Sequence, residues 1–207
     1  MLSRPIYQKE IDNRINRFGA GEVFTAADFL DIATMPAVNE SLHRLNKKRD
    51  ITRVISGVYY KPKYSELLGE DVAPRMDLIA EALARKFNWT IAPAGDTALN
   101  MLHLSTQVPN IWTNVSDGPY RKYTVGDSSL QFKHVKNGDV TGKHKITVMV
   151  VQAINTIGKD RISQSDIETL KRVLSDDDKR MILKEAVTAT SWVYDIIRVI
   201  CKGAKDD

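Results

Sequence analysis

TAADFLDIATMPAVNESLHRLNKKRDITRVISGVYYK, residues 25–61, parses into a first helix, a turn, a second helix and two short strands. Thr25 is placed to cap the first helix, with Asp28 three residues on closing a reciprocal box and Phe29, Leu30 and Ile32 as its buried positions. Ala33 and Thr34 form the turn. Pro36 suits the first turn of the second helix, where its missing N–H is not needed. Val38, Leu42 and Leu45 recur at i, i+4 and i+7 and share one face, leaving Glu40, His43, Arg44 and Lys47 on the other. Residues 51–55 and 58–60 are β-branched or aromatic runs separated by Ser56-Gly57, a two-residue gap that a tight hairpin accepts. A basic helix followed at once by a hairpin is the outline of a winged helix-turn-helix.

Such a helix fits the major groove of double-stranded DNA while the hairpin reaches flanking backbone. Lys and Arg neutralise phosphates or fork onto guanine. The expected DNA contacts are Arg44 and Lys47 on the helix, His43 and Lys48 beside them, and Arg53 and Lys61 on or next to the wing. The same residues would also serve as the solvated face of a protein-docking module.

The chain has 207 residues, 43% hydrophobic and 27% charged, the make-up of an ordinary globular protein. Its formal charge of +4 is unevenly spread along the sequence. Residues 1–63 hold 11 Lys+Arg against 7 Asp+Glu, and residues 64–207 hold 19 of each. This predicts a basic DNA-binding domain over 1–63, sufficient by itself for specific binding, and a neutral domain over 64–207 with another role. The lone cysteine, Cys201, has no partner for an intramolecular disulfide. With no apolar stretch of signal-peptide length at the start and no run near the roughly 18 apolar residues of a membrane span, a cytoplasmic location without membrane contact is expected.

Residues 7–18 read as a helix with Ile11 and Ile15 on one side, closed by Gly19 and Gly21. Beyond the wing, residues 76–87 have helical spacing, 89–92 strand character, 95–104 a short helix and 110–115 a further strand. Residues 120–125 and 129–135 alternate across Gly126-Asp127 and predict a meander, and Asn137-Gly138 is another hairpin signal. Residues 145–157 have the composition of a strand, but their apolar stripe runs longer than strands do, so helix is the reading. Ser163 with Asp166, and Ser175 with Asp178, have capping-box spacing and open two helices, and a last helix covers 190–201. The expected class is α+β, an N-terminal winged helix-turn-helix followed by a mixed α/β domain ending in a helical C-terminal segment.

Strong catalytic signatures are absent: the chain has no H-E-x-x-H, C-x-x-C, G-x-S-x-G or G-x-G-x-x-G. GDVTGK, residues 138–143, falls one residue short of P-loop spacing and has His144 where the Mg²⁺-binding hydroxyl belongs, so it reads as a polar turn. No histidine pair has metal-ligand spacing, and no cofactor or metal is expected. Asp117 with Gln131 and Lys133 is similar to the acid and (Glu/Gln)-x-Lys pattern of restriction-type nucleases, and a DNA-processing enzyme with a winged targeting domain is the alternative reading. Gln is a poorer Mg²⁺ ligand than a carboxylate, so the expectation is a protein that is not an enzyme.

RVISGVYYKP at 53–62, AGDTALNMLHLSTQVP at 94–109, Thr113-Asn114, Gly118-Pro119 and Phe132-Lys133-His134 occur in an order that resembles the AbiEi-type antitoxins of bacterial type IV toxin–antitoxin systems. The resemblance covers about residues 7–157. Ser56 departs from the basic residue often found beside the wing glycine. The resemblance implies a transcriptional repressor-antitoxin that binds operator repeats at its own promoter and counteracts a cognate nucleotidyltransferase-like toxin without needing a lasting complex. It also implies that the surface around Thr113, Asn114, Lys133 and His134 serves the antitoxin role.

Overall fold

The computed structural model describes residues 4–67 and 69–202 of the chain. It is a mixed α+β protein with a helical C-terminal segment, and it divides into two compact units, residues 1–89 and 90–207.

In the first unit, helix α1 (Arg4–Arg17) leads into strand β1 (Val23–Thr25), a 3₁₀ turn (Ala26–Phe29), helix α2 (Met35–Lys48) and a hairpin of β2 (Thr52–Ile55) and β3 (Val58–Tyr60). A two-residue ladder of β4 (Tyr64–Ser65) and β5 (Glu70–Asp71) precedes helix α3 (Met76–Phe87). Strand β3 lies between β1 and β2 and is antiparallel to both, so β1 closes the hairpin into a three-stranded sheet. Gly57 makes the hairpin turn at φ +76°, a conformation that costs glycine little.

The first helix expected over residues 25–32 is shorter than its pattern suggested. Only one 3₁₀ turn forms, and Leu30 is exposed rather than buried. The capping reading holds, because the Asp28 carboxylate accepts the Thr25 backbone N–H at 2.8 Å. Helix α2 follows its apolar stripe: Val38, Leu42 and Leu45 are buried with Ile11, Ile15, Phe24, Phe29 and Ile51. Arg49, in the left-handed conformation at φ 66°, ends the helix and directs the chain into β2.

The division after Trp89 differs from the boundary expected after Lys63 because α3 belongs to the first unit. It packs on β1 and the 3₁₀ turn with Ile79 and Leu83 buried, and Arg85 donates to the Asp28 carboxylate (3.0 Å) and the Val23 carbonyl (3.1 Å). A fragment ending near residue 62 lacks that helix. The charge asymmetry also disappears, because Glu66, Glu70, Asp71, Asp77 and Glu81 join the first unit. Residues 1–89 hold 14 basic and 12 acidic side chains, and residues 90–207 hold 16 and 14.

The second unit runs β6 (Ile91–Pro93), α4 (Asp96–Met101), β7 (Ile111–Ser116), β8 (Arg121–Val125), β9 (Ser128–His134), α5 (Asn137–Val140), α6 (Lys145–Ile157), α7 (Gln164–Val173), α8 (Asp176–Glu185), a 3₁₀ turn (Ala186–Thr188) and α9 (Ser191–Cys201). Its sheet has the order β6-β7-β9-β8. That corrects the expected meander: β8 and β9 do form a hairpin, but β9 inserts beside β7 and runs parallel to it, Ile111 opposite Ser129 through Ser116 opposite His134. Burial supplies the reason. Leu130 and Phe132 are fully buried and favour a central position, whereas β8, carrying exposed Arg121 and Lys122, tolerates the edge. Asn137-Gly138, expected as a hairpin turn, lies in the short helix α5.

Helix α6 explains its own strand-like composition. Val148 packs with Ala92 and Val115 of the sheet, while Val150, Ala153 and Ile154 pack with Leu170, Ile182, Val193, Ile197 and Ile200 of the helices that follow. A helix covered on more than one side needs apolar residues around most of its circumference. Both predicted capping boxes form, with Asp166 and Asp178 each accepting the N–H of the preceding serine cap.

Two consequences are measurable in this unit. Burial pushes the Cys201 thiol up to about 11, so the native protein should resist iodoacetamide at mildly alkaline pH and become alkylated only on unfolding. Glu185 ties α8 to the start of α6, accepting from His144 N (2.9 Å) and Thr147 Oγ1 (2.7 Å) and pairing with His144 Nδ1 (2.6 Å). Burial raises its carboxyl, but these hydrogen bonds outweigh burial and hold the pKa below the ordinary value. A lowered folded value means the contribution is complete above the ordinary carboxylate range and is lost as pH falls through the folded value. Glu185→Gln should therefore lower the urea midpoint at neutral pH and flatten its decline under acid. Parallel acid losses in both proteins would refute this role.

Candidate nucleic-acid interface

On α2 the residues that point away from the core are Pro36, Asn39, Glu40, His43 and Lys47, spaced as one helical stripe and all exposed. Lys48 and Arg49 extend the exposed basic surface at the C-terminal end. The hairpin is fastened beside this face, because the Arg53 backbone N–H donates to Asn46 Oδ1 of α2 at 3.0 Å. Arg53 itself is exposed, with its Nε donating to the Ile55 carbonyl at 3.3 Å. His43, Lys47, Lys48 and Arg53 thus lie on solvent-facing parts of α2 and the hairpin.

Arg44 and Lys61 are placed differently from the sequence expectation. Arg44 lies at the border of the buried stripe, where Nη2 pairs with Asp12 of α1 at 3.0 and 3.3 Å and Nε is buried without a hydrogen-bond partner. Lys61 donates from Nζ to the carbonyls of Asn16 (2.9 Å) and Phe18 (2.8 Å), at the C-terminal end of α1. Both cations fasten α1 to the rest of the unit. One position along a helix turns a side chain by about 100°, which separates outward His43 from inward-leaning Arg44. Because the pair with Asp12 is only partly buried, Arg44→Ala is expected to lower stability by about 1 kcal/mol, measured by urea denaturation, rather than to remove a DNA contact.

Asn39 was not among the expected contacts, although it precedes His43 by one helical turn and shares its face. Its signal lies in the spacing, which puts an uncharged amide suited to reading adenine on the same face as His43 and Lys47.

The expected antitoxin surface is split by the sheet. Thr113 and Asn114 are 8% and 5% exposed, and Thr113 accepts from Gln131 Nε2 at 2.9 Å while its backbone N–H donates to Thr97 Oγ1 at 2.8 Å. These two residues support the sheet. Lys133 and His134 are exposed at the end of β9, where His134 Nδ1–H donates to the Gly118 carbonyl at 3.0 Å.

Asp117 is occupied by loop ties: Oδ1 accepts the Thr90 N–H at 2.8 Å and Oδ2 accepts Thr141 Oγ1 at 3.2 Å. Gln131 Oε1 accepts the Tyr120 hydroxyl at 3.4 Å, and its amide nitrogen is engaged with Thr113. Among the described residues no group of three or more His, Cys, Asp or Glu side chains could hold a metal ion. Lys143, in the P-loop-like segment, donates to Thr188 Oγ1 at 2.9 Å.

A family model matches residues 10–182, which takes in all of α2, the hairpin, the sheet of the second unit and most of α8. The chain belongs to the DUF6088 family of unknown function. The DUF6088 match spans parts of both units. No curated protein matches the chain. Among the described residues of this DUF6088 member, no helix is long and apolar enough to cross a membrane.

Proposed function

We propose that the chain is a DNA-binding protein whose first unit works as a winged helix-turn-helix, with α2 as recognition helix and the β2–β3 hairpin as wing. The observation that carries this reading is the exposed stripe Asn39, His43 and Lys47 on α2, held beside a hairpin that presents Arg53. The element order supports it too: helix, strand, helical turn, helix and hairpin, with the first strand joined to the hairpin's second. Net charge adds little, since the two units carry the same excess of basic residues. Arrangement on one helix face is what favours a polyanion.

We further propose the cellular role that the resemblance to AbiEi-type antitoxins implies: repression of its own promoter and protection against a nucleotidyltransferase-like toxin. The second unit then carries the protective function, with Lys133 and His134 as its exposed candidates.

Fluorescence anisotropy of the full chain on its own promoter fragment, titrated with salt, tests the DNA reading. Binding whose log affinity falls linearly with log salt is expected, with a slope near 0.9 per phosphate contacted. No preference for the promoter over random duplex would refute it. Incubation with Mg²⁺ or Mn²⁺ should leave the DNA intact, and cleavage that disappears in Lys133→Ala would replace this reading with the nuclease. Failure of the full chain to rescue cells expressing a cognate nucleotidyltransferase-like toxin would remove the antitoxin role and leave DNA binding standing.

A further inference from the structure

A groove of about 470 Å³ lies within the first unit, where the N-terminal half of α2, the hairpin turn and the C-terminal end of α3 meet. Its lining includes Leu30, Met35, Asn39, Arg53, Lys86 and Phe87, two cations and no carboxylate. Leu30, Met35 and Phe87 stay 48%, 43% and 42% exposed, so apolar surface is gathered in a place that the core does not cover. Asn39 belongs both to this groove and to the outer stripe of α2, which makes the groove continuous with the face already proposed to meet DNA.

Two consecutive basic residues at the end of α3 have opposite duties. Arg85 turns inward to Asp28 and the Val23 carbonyl and fastens the helix. Lys86 turns to the groove: its Nζ lies 5.2 Å from the centre of the Phe87 ring and 2.7 Å from where a Cβ on Gly57 would stand. The ammonium therefore rests on the turn of the hairpin. It makes no ion pair among the described residues. A lysine held against a wing turn, beside Arg53 and without a carboxylate in the lining, is suited to a phosphodiester.

We infer that this groove is the path of one DNA strand's sugar–phosphate backbone past the wing, with Lys86 and Arg53 holding phosphates and Met35 and Phe87 lying against deoxyribose. The inference rests on the DNA-binding reading and adds to it a contact from α3, outside the helix-turn-helix and its wing. It also gives Gly57 a second duty, since a side chain there would displace Lys86.

The test uses the full chain and its promoter duplex, comparing wild type with Lys86→Ala, Lys86→Arg and a control in the second unit, Lys159→Ala. Lys86→Ala should weaken promoter and random duplex alike, by about three- to tenfold, and lower the salt slope by about one. Lys86→Arg should keep the wild-type slope, as should the control, with all melting midpoints unchanged. If wild type binds and Lys86→Ala keeps both affinity and slope, the strand does not run through the groove and the inference fails alone. If Lys86→Ala and Lys86→Arg lose binding equally, charge is not what the groove supplies and the phosphate assignment is wrong. If wild type binds no DNA, the functional reading fails and this inference with it.

Discussion

Alanine at Asn39, His43 and Lys47 together is expected to weaken binding to the promoter duplex by about 10²–10⁴-fold, with the melting midpoint unchanged. Each bidentate base contact is worth about 1–3 kcal/mol, and a phosphate contact adds a sequence-independent part. The three side chains are exposed and lie on the face of α2 opposite Val38, Leu42 and Leu45, so their removal leaves the core intact. Discrimination between promoter and random duplex should fall along with affinity. Glu40 is also exposed on this stripe, and its carboxylate opposes a phosphate at that position. A triple variant that bound the promoter like wild type would remove α2 from the interface. Arg44→Ala supplies the contrast, because its effect is on stability and not on the DNA-bound state.

Phe29→Ala should lower the stability of the first unit by about 3–5 kcal/mol, a large part of what a domain of this size possesses. Phe29 is fully buried, and its ring lies 5.7 Å from that of Phe24 and 6.0 Å from that of Phe18. The Arg14 guanidinium stands 5.7 Å from its centre. Truncation leaves a cavity in the place where α1, β1 and α2 converge. Loss of DNA binding should follow from unfolding, so binding measured at low temperature, where the variant is still folded, should approach wild type. Urea denaturation followed by tryptophan fluorescence and circular dichroism measures the loss. A change below about 1 kcal/mol would mean that the aromatic cluster does not organise the unit.

Local patterns made much of the chain legible. The apolar stripe of residues 145–157 specified α6, and Ser–Asp spacing placed the starts of α7 and α8. Pro36, the stripe Val38, Leu42 and Leu45, and the two-residue turn at Ser56-Gly57 specified α2 and its hairpin. These signals are local because backbone hydrogen bonds, caps and turns involve residues a few positions apart. By itself, then, the sequence determined α2, α6, α7, α8 and the β2–β3 hairpin, the helix at the centre of the proposed interface and the face of it that is apolar, whereas the 3₁₀ turn at Ala26–Phe29, strand β1 and the helix at Asn137–Val140 departed from its patterns.

Tertiary structure decided the rest, where the deciding partner is distant in the chain. Arg44 and His43 are neighbours with similar sequence credentials, yet Asp12, 32 residues away, takes Arg44 out of the candidate interface. Lys61 is held by carbonyls at the end of α1, and Thr113 and Asn114 are enclosed by their own sheet. The parallel pairing of β7 with β9 cannot be read from alternation, which is the same for either neighbour. Membership of α3 in the first unit moved the boundary from residue 63 to residue 89 and with it cancelled the charge asymmetry, since Arg85 reaches 57 residues back to Asp28. The same packing set Lys86 against the hairpin turn, a placement no spacing announces. Charge is countable along a sequence, but whether a cation is available to a ligand depends on which carboxylates and carbonyls folding has brought within its reach.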